Sequence, residues 1–351
     1  MAELWFGTHP SGPSTLESGE RLDAVVANNP IANLGADSYA RFGARLPYLV
    51  KFLAAAAPLS IQVHPTSQQA REGFARENAA GVALDSPLRV YRDDQAKPEI
   101  LIALSRFEAL CGLRPLTATI EFLLALDVAG LQPVVERLRR GHCEKAVADI
   151  LTMAPDDQHH LVAALRHGAQ LLNTRHWAAE AECLIRLAEH YPDDTGVVIA
   201  ALLNRVVLNP GEAVFLPAGN IHAYVNGLGL EVLAASDNVV RGGMTTKHVD
   251  VAELLNIADF TELAHPVVHA SEVEPGCWSY PSAAKEFSVL RCDTPQGTTT
   301  SVHISGPKIL VCTQGNAGRI RQGEALWIPD STGLIDIHGP STVFAIAVPP
   351  A

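Results

Sequence analysis

The sequence predicts a mainly β protein with an α-helical insertion: two barrel- or jelly-roll-like domains, the first interrupted by a helical domain. Three observations predict it. Gly and Pro are plentiful, 26 and 23 among 351 residues, which favours many turns and short strands over a helical bundle. The texture changes twice along the chain, from short apolar runs to apolar residues at three- and four-residue spacing, and back. A Gly-Glu turn–strand–turn unit also occurs twice, as GEAVFLP from Gly211 and as GEALWIP from Gly323, the pattern of two copies of one β unit.

Residues 1–112 are rich in Gly, Pro and short apolar runs. Leu46, Leu49, Val50 and Leu53 share a helical face, so a helix is predicted over about Tyr39–Ala56. The segment PLSIQVHP after it reads as a short strand. In 113–203, TATIEFLLALDVAGLQPVVERLRR, EKAVADILTM, HHLVAALRHGAQLLN and HWAAEAECLIRLAEHY read as amphipathic helices, with Pro115, Pro155 and Pro192 at the breaks. Strand texture returns from Arg205, a short helix is predicted around Val249–Ala258, and FSVLRC, TSVHIS, KILVCT, ALWIPD and STVFAIAV continue as strands. The expected domains are 1–112 with 204–265, a discontinuous catalytic domain; 113–203, helical; and 266–351, a second β domain without a metal site.

The net charge of −12 repels phosphate backbones and anionic membranes and argues against nucleic-acid and membrane partners. An anionic metabolite would need local Lys and Arg. The opening MAELWFGTHPSGPS has no basic stretch followed by an apolar one, and the apolar run Pro47–Val63 is broken by Lys51, Pro58, Ser60 and Gln62. It reads as buried, not as a membrane span. Cys111, Cys143, Cys183, Cys277, Cys292 and Cys312 form no C-x-x-C pair, so reduced core cysteines in a cytoplasmic protein are expected.

The first Gly-Glu unit carries chemistry. Gly211-x5-Pro217-x-Gly219-x2-His222-x3-Asn226 fits the second signature of the cupin superfamily at every fixed position. Gly211 allows a tight turn, and His222 starts the following strand. In the second unit Leu334 stands at the spacing of His222, so a metal there is not expected. Gln62 and His64 are two apart and project from one strand face, and Glu99 enters another strand in QAKPEI. Gln62, His64, Glu99 and His222 together suit one zinc ion per chain with an open position for water or substrate.

The stretches AELWFGTHPSGPS, PLSIQVHP, DDQAKPE, FLPAGNIHAY and GLGLEVLAASDNVVRGGMTTKHVDV, in this order, resemble the type I mannose-6-phosphate isomerase family. The resemblance implies a catalytic cupin domain, a helical insertion and a C-terminal cupin-like domain. It implies zinc-dependent interconversion of mannose 6-phosphate and fructose 6-phosphate through an enediolate. It supports Gln62, His64, Glu99 and His222 as ligands and places Ser60, Lys97, Glu231, Asp237, Arg241 and Lys247 in or near a sugar-phosphate pocket. The expected roles are proton transfer by Glu231 or Lys97, charge stabilisation by Arg241, and substrate binding by Ser60, Asp237 and Lys247, with Arg241 and Lys247 toward phosphate. Two departures stand out. The family carries a leading strand with a Gln-x-Tyr-x-Trp-Gly type motif, and this sequence starts at what resembles the end of it, so either the start codon is misplaced or an edge strand and a pocket tryptophan are missing. Ala96 stands where the family often has His. Two other classes fit the same residues: another metal-dependent cupin enzyme such as an iron oxygenase, since two His and one carboxylate describe that site too, and a non-catalytic sugar-binding cupin. The expected partner is a small sugar phosphate, and the expected state a monomer, with a homo-oligomer as the alternative.

Overall fold

The computed structural model describes residues 2–330 and 333–350. Strand β1 (Ala2–Phe6) precedes helices α1 (Leu22–Asn28), α2 (Pro30–Leu34) and α3 (Ala36–Phe42). Strands β2 (Tyr48–Ala55) and β3 (Gln62–Val63) follow, then α4 (Ser67–Ala79), β4 (Glu99–Ala103) and β5 (Phe107–Leu113). A helical stretch intervenes: α5 (Leu116–Ala125), α6 (Gln132–Arg139), α7 (Cys143–Leu151), α8 (Pro155–Leu171), α9 (Ala178–His190) and α10 (Gly196–Ala200). The chain then re-enters sheet as β6 (Leu203–Leu208), β7 (Ala213–Leu216), β8 (His222–Ala234) and β9 (Val240–Arg241), followed by α11 (Val251–Ile257) and β10 (Val267–Val268). The last part is all strand: β11 (Ser271–Glu274), β12 (Cys277–Tyr280), β13 (Ser288–Thr294), β14 (Thr299–His303), β15 (Lys308–Gly315), β16 (Ala325–Ile328), β17 (Leu334–His338) and β18 (Ser341–Ala347). Among the described residues no helix is long and apolar enough to cross a membrane.

Strand β8 organises the first sheet. Its second half, Gly227–Ala234, pairs with β2 on one side, while Gly229–Leu233 also pairs with β4 on the other. Its first half pairs with β5 and β3. The strand changes partners at Gly227, which has φ +134°, and a Cβ there would lie 2.6 Å from the Phe107 ring and 2.8 Å from the Phe107 Cα. Only glycine permits that approach and that dihedral together. The central strands are buried on both faces, and period-two alternation sorts their side chains. Tyr48, Val50, Ile100, Ile102, Leu230 and Val232 face one core, shared with Phe287, Ile309 and Phe344 of the C-terminal sheet. Leu53, Leu101, Ala103 and Leu216 face the other, with Phe107 and Tyr224. Lys51, Glu99 and Glu231 alternate with the first set and therefore point to the second side.

The helix predicted over Tyr39–Ala56 is not there. Helix α3 stops at Phe42, where Gly43 takes φ +75°, and residues 48–55 form β2. A strand buried on both faces shows no clean alternation, so its apolar residues mimic helical spacing. Eight paired positions with β8 and five with β1 decide for strand.

The inserted helices share an apolar core with the sheet, and one buried carboxylate adds a polar tie to α9. Glu108 on β5 accepts from Arg205 Nε at 2.6 Å and from Arg186 Nη2, on α9, at 2.5 Å. Removing Glu108 leaves Arg205 half-buried without its counter-charge. Glu108→Ala should therefore cost about 3 kcal/mol of stability, read by urea unfolding; an unchanged midpoint would show that the strut contributes nothing.

Candidate metal centre

Three strands converge on one buried point. Gln62 on β3 is the direct register partner of His222, the first residue of β8, and of Arg241 on β9. Glu99 is the first residue of β4, and His64 follows β3 directly. His64, Glu99 and His222 are all buried, and their ligand atoms lie within 4.8 Å of one another. Among the described residues this is the one such cluster.

The atoms are arranged for a cation. His64 Nδ1 sits 2.8 Å from the carbonyl oxygen of Asn238 and His222 Nδ1 sits 3.0 Å from that of Asn220. A carbonyl only accepts, so each Nδ1 carries the proton, and in the neutral ring each Nε2 presents a lone pair. Those lone pairs face the Glu99 carboxylate: His64 Nε2 to Oε1 at 3.4 Å and His222 Nε2 to Oε2 at 3.6 Å. His64 Nε2 is buried and accepts or donates no hydrogen bond. Acceptor facing acceptor is stable only with a positive charge between. Two ligands about 2.1 Å from a tetrahedral zinc lie about 3.4 Å apart, which is the spacing found. The carbonyl contacts behind the rings fix their tautomer, as metal-ligating histidines require.

Electrostatics favour the metal-ready protonation states. Burial drives the His64 pKa down to about 4, against a smaller upward pull from Glu99. Burial pushes the Glu99 carboxyl upward, but Lys97, whose Nζ is 3.0 Å from Oε1, and the two histidines outweigh it, and Glu99 stays well below the usual carboxylate range. A neutral imidazole and an ionised carboxylate are the ligating forms.

A pocket of about 110 Å³ opens on this cluster, lined by Ser60, Gln62, Lys97, Glu99, His222 and Glu231, with Lys51, Tyr224 and Glu3. Gln62 Nε2 donates to Ser60 Oγ at 3.3 Å, leaving the Gln62 amide oxygen free of side-chain bonds. Glu231 is buried opposite Lys51, Oε2 to Nζ at 3.4 Å. Burial and the neighbouring Glu99 raise the Glu231 pKa above the carboxylate norm, though Lys51 and Lys97 pull against them. Asp237 Oδ1 lies 3.4 Å from His9 Nε2. Arg241 is partly buried, its pKa lowered by burial and by Arg92. Lys247 is exposed; its backbone N–H donates to Thr245 Oγ1, and its side chain is not among the pocket's lining residues. Of the ten expected residues, Ser60, Gln62, Lys97, Glu99, His222 and Glu231 line the pocket and His64 joins the cluster, while Asp237, Arg241 and Lys247 are not among its lining residues.

Four groups were missed by sequence reasoning. Lys51 carries no motif; strand pairing alone sets it against Glu231. Tyr224, two residues after His222, lines the pocket with a buried hydroxyl that has no hydrogen-bond partner. Trp5 lies under the Lys51 ammonium at 4.8 Å and edge-on to His9 at 5.1 Å. Asn238 is wholly buried and bonds to the backbone of Arg92, Asp93 and Gln95, tying the segment before Lys97 to the carbonyl behind His64. The doublet Asp237-Asn238 signalled only its exposed member.

Comparison with known proteins agrees with this geometry. A family profile described as phosphomannose isomerase type I, catalytic domain, matches residues 1–116. Mannose-6-phosphate isomerase of Shigella flexneri is 34% identical over 97% of this chain and 89% of its own length. Mannose-6-phosphate isomerase 1 of Arabidopsis thaliana is 34% identical over 95% and 81%. The chain belongs to the type I phosphomannose isomerase family. A crystal structure of mannose 6-phosphate isomerase from Salmonella typhimurium, bound to substrate (f6p) and zinc, superimposes with a TM-score of 0.90 at 32% identity, covering 100% of this chain and 91% of that one. A zinc-bound holo mannose 6-phosphate isomerase matches equally, at TM-score 0.90.

The depressed His64 pKa has a thermodynamic consequence. The unfolded chain binds this proton below about pH 6.5, whereas the folded state resists it down to about pH 4. The unfolded state therefore gains protons first, and stability falls as pH drops through that window. Metal-free protein should lose stability between pH 6.5 and 4.5, and His64→Gln should flatten the loss. Parallel urea titrations of both proteins across this range measure it; identical pH slopes would show that His64 is not buried in its neutral form.

Proposed function

We propose that the chain interconverts mannose 6-phosphate and fructose 6-phosphate at the His64–Glu99–His222 centre, with Gln62 as fourth ligand. The observation that carries this reading is the pair of imidazole lone pairs facing a buried carboxylate at the floor of a pocket lined by cations and a second carboxylate. Zinc, when bound there, supplies Lewis-acid stabilisation of negative charge on substrate oxygens. The remaining work belongs to the chain.

Isomerisation of the open-chain aldose moves one proton from C2 to C1 and another between the two oxygens, by way of an enediolate. Glu231 is the base in this reading. Its raised pKa brings it closer to neutrality, where a carboxylate accepts and returns a proton most effectively. Lys51 and Lys97 flank it and hold positive charge against the developing oxyanion. Arg241 assists ring opening and, with Lys247, supplies positive charge toward the phosphate. Ser60 and Asp237 bind sugar hydroxyls. An iron oxygenase would need neither the paired lysines nor Glu231, and family membership favours isomerase over a non-catalytic binder.

The finer architecture follows the same reading. Residues 1–112 with 204–265 form a catalytic cupin domain, 113–203 a helical insertion, and 266–351 a cupin-like domain without metal. Gly211 and Gly323, at φ +92° and +87°, open equivalent turns, and eleven residues on, His222 and Leu334 each begin a strand. Leu334 offers no ligand atom. The chain acts as a monomer in the cytoplasm, where unpaired cysteines such as its six persist.

A coupled assay of mannose 6-phosphate turnover should lose activity with a chelator and regain it with zinc, alongside about one zinc per chain by metal analysis. Activity indifferent to chelation would overturn the metal assignment. Glu231→Gln should lower kcat by about 10²–10⁴ while zinc content is kept; near-normal turnover would remove Glu231 from the base role.

A further inference from the structure

A cleft larger than the catalytic pocket lies elsewhere. A cavity of about 660 Å³ lies between the first sheet and the C-terminal sheet, within the usual range of small-molecule sites. It contains none of the metal-centre residues. The two Gly-Glu units of the internal echo meet here, since Gly211 and Gly323 both line it. A Cβ at Gly211 would fall 2.6 Å from Arg291 Nη1, so the missing side chain is what lets that guanidinium lie against the turn.

Arg291 is held by an ion pair and a ring contact, while its buried Nε has no hydrogen-bond partner. Its Nη2 pairs with Asp293 Oδ2 at 3.2 Å, and its Cζ lies 4.6 Å from the Trp278 ring centre. Asp293 Oδ1 accepts from Thr342 Oγ1 at 2.8 Å. Both carboxylate oxygens are thus engaged, and the Arg–Asp pair leaves the cleft without net charge. A phosphate entering beside Arg291 would also meet Asp293. The side-chain amides of Gln314 and Gln322, by contrast, are exposed and make no hydrogen bond within the described residues. Each offers two donors and an acceptor. Phe52, partly exposed, adds apolar ring surface to the lining, with Phe344 buried behind it. Paired donors and acceptors beside an aromatic ring, with no net charge, match a neutral molecule that carries hydroxyls on an apolar ring skeleton.

We propose that this inter-sheet cleft is a second ligand site, for a neutral saccharide of two or three units, distinct from the catalytic pocket. One strand separates the two. Phe52 of β2 lines the cleft, while its neighbours Lys51 and Leu53 line the catalytic pocket. In the register of β2 with β8, Phe52 opposes Leu230 and Lys51 opposes Glu231. A ligand in the cleft therefore contacts the strand that positions Lys51.

Binding is tested directly and independently of activity, by titration calorimetry and saturation-transfer NMR with maltotriose, cellotriose and mannotriose, each up to about 20 mM. Such trisaccharides are too large for the catalytic pocket of about 110 Å³. At least one should bind with a Kd of about 1 mM or tighter. Gln314→Ala combined with Gln322→Ala should weaken that binding by about tenfold or more while the melting temperature and basal isomerase rate stay unchanged, and Glu231→Gln should leave it intact. Three results would each overturn the proposal: no binding by any of the three, binding indifferent to the double variant, or displacement of the saccharide by inorganic phosphate.

Discussion

Two imidazole lone pairs aimed at a buried carboxylate are costly to hold without a cation, and the strands of the first sheet are arranged to keep them there. Glu99 opens β4, His222 opens β8, and His64 follows the short β3. Each histidine is turned by a backbone carbonyl behind it. Asn238, wholly buried, locks the segment leading to Lys97 against the carbonyl that holds His64. Where a surface ion pair is worth little, a buried acceptor cluster such as this one is costly until its ligand arrives. It therefore records the ligand's charge in the protein itself.

The same low-dielectric setting sorts two carboxylates into different roles. Glu99 and Glu231 both lie on the inner side of the sheet and are both buried. Glu99 has Lys97 at 3.0 Å and two imidazoles, and stays ionised as a ligand. Glu231, with Lys51 at 3.4 Å and Glu99 as an unfavourable neighbour, is raised instead. Neighbouring acids pushed in opposite directions by their surroundings are the usual mark of divided labour in catalysis.

Much of the site was legible in the sequence because it is carried by short spacings. A Gln and a His two apart share a strand face whatever surrounds them, and the glycine-to-histidine spacing fixes a turn followed by a strand start. Those local rules found His64, Glu99 and His222. They could not find Lys51, which belongs to no motif and reaches the pocket only because β2 pairs with β8 in one register. The same pairing explains the one element that was misread: Leu46, Leu49, Val50 and Leu53 look helical because both faces of β2 are buried. Lys247 shows the reverse failure. It follows the specific segment near Arg241, yet the turn after Met244, which has φ +54°, carries it to the surface.

By itself, the sequence determined the alternation of β and helical texture, the repeated glycine turn and the chemistry of the ligand set, because each depends on residues close together in the chain. Only the tertiary structure decided which strand faces the pocket, which carboxylate is raised and which lowered, and that the two glycine turns meet across a second cleft. Those outcomes rest on register and burial. Strand pairing joins residues up to about 180 positions apart, as between Lys51 and Glu231, and the strength of a charge interaction depends on how much water the completed fold excludes.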